Sequence, residues 1–192
     1  MGDAAWQKTW PAEHKAMTQA QRANLHQRHS EADYPFYDFN PVFRTHPGVA
    51  YWKGGAQLAV KQRQQAKLRD VAIHLQQNWK VPVSEVHKYL SHKVAVLEWC
   101  PYRSEAFKRT KGLKKLQSVI EAVELANALV AENEKLVIVA RHVDAWGYSG
   151  SSDSRENLVV YDGLQGTAAS LTMKSTGGKA LLQRLLRAGP AL

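Results

Sequence analysis

From Leu68 to Val130 the large apolar residues return every three or four positions, and that spacing commits the middle of the chain to helices. Leu68, Val71, Ala72, Leu75 and Trp79 share one face of a helix predicted over 56–79, whose earlier turns, Lys61-Gln62-Arg63-Gln64-Gln65, are polar all round. Val86, Leu90, Val94 and Leu97 repeat likewise over 84–99, where Ser84 suits the cap and Pro101 lies just past the end. Leu113, Leu116, Ile120, Val123, Asn127 and Val130, widened by Val119 and Leu129, mark a longer helix. It is predicted from about Ser104 to Glu132, with a kink near Gly112 and a stop at Asn133. The links Trp79-Lys80-Val81-Pro82 and Trp99-Cys100-Pro101-Tyr102 are short, and short links favour antiparallel neighbours. A three-helix antiparallel core over 56–133 follows.

The flanks differ from this core. Residues 10–29 read as a helix with Thr9 at its cap, Pro11 in its first turn and little apolar content beyond Met17 and Leu25. Next come Pro35, Pro41 and Pro47, which break helix and disfavour a central strand. Yet Tyr34, Phe36, Tyr37, Phe39, Phe43, Tyr51 and Trp52 put seven of the chain's seventeen aromatics here. A solvated loop does not carry so many rings. Residues 1–55 are therefore read as an N-terminal helix and an extended aromatic arm, with the rings seated either on this chain's own core or on another subunit.

After residue 133 the pattern changes from helical to β-branched. Leu136-Val137-Ile138-Val139-Ala140 and Leu158-Val159-Val160-Tyr161 read as strands, and 168–173 as a third short one. A last helix is predicted over Lys179–Arg187, stopped by Gly189 and Pro190. The fold class expected is mainly α: the three-helix core, the aromatic arm, and a small C-terminal α+β segment over 134–192 that caps it.

The net charge of +9 is not spread evenly. Residues 61–115 hold thirteen basic and four acidic side chains, while 1–60 and 116–192 are nearly neutral. A segregated charge attracts an anionic surface across about one Debye length, roughly 8 Å at physiological salt. Arg63, Lys67, Lys108, Arg109, Lys111, Lys114 and Lys115 are the candidate contacts, and RNA, an acidic protein face or anionic lipid the candidate partners. Tyr102 and Phe107 lie beside the lysines, as base-stacking platforms do, but no standard RNA-binding motif is present.

No pattern points to catalysis. Gly177-Gly178-Lys179 resembles part of a phosphate loop, but Met173 and Ala180 occupy the positions that need glycine and Ser or Thr. A helix beginning there has only its N-terminus to offer an anion. The eight histidines, among them His26, His29 and His142 near Asp144, lack the clustered spacing of a zinc site. Cys100 stands at the C-terminal end of a predicted helix, where the dipole disfavours a thiolate. His142, Asp144, Ser149, Ser151, Ser152 and Asp153 have triad-type side chains without a nucleophile elbow. No enzyme activity, cofactor or metal is expected.

One cysteine cannot close an internal disulfide, which favours a reducing, intracellular compartment. No apolar run reaches transmembrane length, and Met1-Gly2-Asp3-Ala4-Ala5-Trp6 contains neither a signal-peptide core nor a myristoylation pattern. The expectation is a structural, accessory subunit bound to other protein subunits of a large assembly. A mitochondrial respiratory or ATP-synthase complex is consistent with the charge. The competing expectation is an RNA-binding component of a ribonucleoprotein such as a ribosome or mitoribosome.

Overall fold

The computed structural model describes residues 34, 35, 39, 67–97, 111–148, 155–161 and 171–190. Mostly helical, these residues also form a small two-stranded sheet. The chain divides into two compact units, Met1–Ala95 with Leu185–Leu192, and Val96–Arg184. The helix predicted over 10–29 lies outside the described residues, as do Cys100 and the Trp99–Tyr102 link.

In the first unit, helix α1 spans Arg69–Trp79 and helix α2 spans Val83–Lys93. The predicted α1 face is the buried one: Leu68, Val71 and Leu75 are fully enclosed and Ala72 nearly so. From α2, Val86, Tyr89 and Leu90 join the buried set. The turn between the helices needs a left-handed residue, and Lys80 supplies it at φ 56° and ψ 37°, its N–H donating to the Gln76 carbonyl at 2.9 Å. Pro82, not Ser84, occupies the α2 cap, with no side-chain capping bond. Across the turn the rings of Trp79 and Tyr89 meet edge to face, with centroids 4.8 Å apart. Tyr89 Oη donates weakly to the Leu185 carbonyl at 3.5 Å.

Helix α2 ends earlier than its apolar spacing predicts. At Val94 the backbone turns extended, φ −118° and ψ 132°, and 94–97 are not helical. Val94 and Val96 are β-branched, and their restricted side chains favour extended backbone over helix. Leu97, expected on the buried stripe, is 40% exposed.

In the second unit a short 3-10 helix, Lys111–Lys115, precedes helix α3, Gln117–Glu132. The break in the predicted long helix falls at Leu116, whose backbone is extended at φ −70° and ψ 132°, and not near Gly112. Asn133 ends α3 in the left-handed region, φ 57°, as expected of an Asn stop. The buried face is rotated from the predicted stripe. Val119, Ala122, Ala126 and Val130 point into the core, Ile120 is 38% exposed, and Asn127 is exposed as well. The two small alanines let α3 approach its neighbours closely.

Strands β1, Val137–Val139, and β2, Leu158–Val160, pair in parallel, with Val137 opposite Leu158 and Val139 opposite Val160. They pack with α3, Trp146 and Tyr148 in one apolar cluster. The third strand predicted over 168–173 does not form at 171–173, and 168–170 lie outside the described residues. Helix α4 spans Thr176–Ala188, starting three residues before the prediction. No helix among the described residues is long and apolar enough to cross a membrane.

Candidate functional site

The densest polar cluster lies at the head of α4, where the sequence shows Gly177-Gly178-Lys179. Ser175 caps the helix: its Oγ accepts the Gly178 N–H at 3.1 Å and its hydroxyl donates to the Thr172 carbonyl at 2.8 Å. Tyr161, just past β2, enters from the side, and its hydroxyl donates to Ser175 Oγ at 3.1 Å. The N–H groups of Gly177 and Gly178 donate toward the same phenol oxygen. Burial pushes the Tyr161 phenol above its ordinary pKa, and these donated hydrogen bonds only partly offset that.

This geometry explains both glycines. A Cβ on Gly177 would stand 2.5 Å from Tyr161 Oη and 2.9 Å from Ile138 Cγ2, and one on Gly178 would strike the backbone of Leu171 and Thr172. The tyrosine ring and the preceding turn fill the space that side chains would need. The donors an anion would use are directed at Tyr161 and Ser175. Sequence reading allows weak anion binding at this helix start; the phenol and the serine hydroxyl occupy it instead.

The basic segment does not form one surface element. Lys67 belongs to the first unit and is buried, at 9% exposure. Lys114 and Lys115 are exposed neighbours on the 3-10 helix of the second unit, which also includes Lys111. Arg63, Lys108 and Arg109 lie outside the described residues, as does the Lys111 side chain.

Of the aromatic arm, Tyr34 is half-buried and Phe39 is 1% exposed. The Phe39 ring lies 5.7 Å from that of His87 on α2, so at this point the arm packs on its own chain. Phe36, Tyr37, Phe43, Tyr51 and Trp52 lie outside the described residues. His142 adopts φ 52° in an exposed turn, its carbonyl accepting the N–H groups of Ala145 and Trp146. Among the described residues no group of His, Cys, Asp and Glu is arranged to hold a metal.

Two features lay beyond sequence reasoning. One is the Tyr161–Ser175 contact, which joins residues 14 apart with no motif to announce it. The other is the outer side of α2, where Ser84, Glu85 and His92 are exposed and Lys88 half-exposed. Their one-turn spacing is readable in the sequence, but there the apolar stripe draws the attention. Comparison with protein-family models, curated proteins and solved structures returns no match.

Proposed function

We propose that this chain is a non-catalytic accessory subunit of a large multi-subunit assembly, held to its neighbours by the aromatic segment between Tyr34 and Trp52. The observation that carries the reading is Phe39. Its ring anchors the segment on α2 at 1% exposure, and six further rings lie between Tyr34 and Trp52. An anchored segment loses less entropy when its remaining rings are ordered against a partner. The non-catalytic part is supported by the head of α4, whose polar groups are spent on holding a helix start.

Alanine in place of Phe36, Tyr37, Phe43 and Trp52 tests this. The chain should stay folded and leave its assembly. Retention of the assembly by that variant would contradict the reading.

A second reading, an RNA-binding component of a ribonucleoprotein, is supported by the exposed pair Lys114 and Lys115. Phosphate contacts make affinity fall steeply with salt. Lys114→Ala with Lys115→Ala should then weaken binding of a single-stranded RNA and flatten its salt dependence. Absence of RNA binding at low salt contradicts this second reading.

A further inference from the structure

We propose that α1 and α2 form a helix-turn-helix that takes double-stranded DNA, with α2 entering the major groove. Two helices of 11 residues are joined by Lys80, Val81 and Pro82, which is the length of turn this motif uses. A helix of that size is roughly 16 Å long, and the B-form major groove, about 12 Å wide, admits an α-helix.

Helix α2 buries one side only. Val86, Tyr89, Leu90 and Ser91 face inward. The other side presents Ser84, Lys88 and His92, each one turn beyond the last, with Glu85 beside them. These residue types match the groups on base edges: lysine donates to guanine O6 and N7, glutamate accepts from cytosine N4, and serine serves as either donor or acceptor. Lys80 before α2 and Lys93 at its end are exposed and placed for phosphates. Residues 67–97 hold five basic side chains (Lys67, Arg69, Lys80, Lys88, Lys93) against Asp70 and Glu85, so the charge complements a polyanion.

Rigidity points the same way, because a reading helix must be held in place. Trp79 packs on Tyr89 across the turn, Phe39 lies against His87, and Tyr89 reaches the Leu185 carbonyl near the end of α4. Duplex RNA does not fit this arrangement, since its major groove is too deep and narrow for side chains to read.

The test uses the full chain and fluorescence anisotropy with a labelled random-sequence 20-bp DNA duplex. Binding at 50 mM salt with a Kd in the micromolar range is expected, falling steeply as salt rises. Lys88→Ala with Lys93→Ala should weaken it on the order of tenfold, with a salt slope shallower by about 1 for each lysine on a phosphate. Unchanged circular dichroism would show that the variant remains folded. The pair Lys114→Ala and Lys115→Ala should leave duplex binding unchanged. No duplex binding at 50 mM salt would overturn the proposal, as would a loss that follows Lys114 and Lys115 instead. Tighter binding of single-stranded RNA than of duplex DNA would also overturn it. The proposal does not depend on the aromatic segment, so either reading can fail alone.

Discussion

At the scale of single residues, Tyr161 is the side chain on which most local structure converges. Its hydroxyl meets Ser175, and its ring sets the space above Gly177. Tyr161→Phe keeps the ring and leaves the N–H donors of α4 short of one acceptor. Chemical denaturation should show a loss of about 1–2 kcal/mol. Gly177→Ala drives a Cβ into the same ring and should destabilise by at least about 1–3 kcal/mol, as overpacking does.

Tyr161 also gives stability a pH dependence. Burial raises its pKa in the folded state, so the fold holds a proton that the unfolded chain releases above the ordinary tyrosine value, near 10. The contribution is complete below that pH and declines as pH rises through the folded value. Tyr89, raised by the same cause, acts in the same direction. Denaturation midpoints measured across the alkaline range should fall less steeply in Tyr161→Phe than in the natural chain.

Asn157 is the second residue of this kind. Its Nδ2 donates to the Val130 carbonyl at 3.0 Å and to the Lys135 carbonyl at 3.3 Å, tying the end of α3 to the start of β2. Asn157→Ala strands both carbonyls and should cost about 1–3 kcal/mol by urea denaturation.

At the scale of elements, legibility followed chemistry. The α1 face was readable because Leu68, Val71 and Leu75 are large, helical in spacing and flanked by polar residues. The α3 face was misread because Ile120 outweighs Ala122 and Ala126 in hydrophobicity, whereas close packing selects the small residues. This contrast is open to test. Ile120→Lys should change stability by no more than about 0.5 kcal/mol, while Ala126→Leu should cost about 1–3 kcal/mol. Thermal melts of the two variants would show the order. The strands were legible from their valines, but their parallel pairing was not, since orientation depends on how the chain returns from Val139 to Leu158. Lys80 was opaque for another reason: a lysine gives no hint of a left-handed turn. Glycine there removes the steric strain and should stabilise the hairpin by up to about 1 kcal/mol.

At the scale of the whole molecule, charge and aromatics have separate places. The basic stretch that looks continuous in sequence divides between two units, with Lys67 enclosed in one and Lys114 and Lys115 exposed in the other. Sequence distance along a stretch of charge does not reveal which lysines share a surface. The aromatic segment is anchored by Phe39 and bears on function through the rings around it. The most direct test of the central claim is native mass spectrometry of the full chain isolated from its own cell, beside the chain carrying Phe36→Ala, Tyr37→Ala, Phe43→Ala and Trp52→Ala. The natural chain should appear in a stoichiometric complex with other proteins, and the substituted chain as a folded, lone polypeptide. A natural chain that is itself a lone polypeptide, with residues 1–55 resistant to protease, would contradict the account.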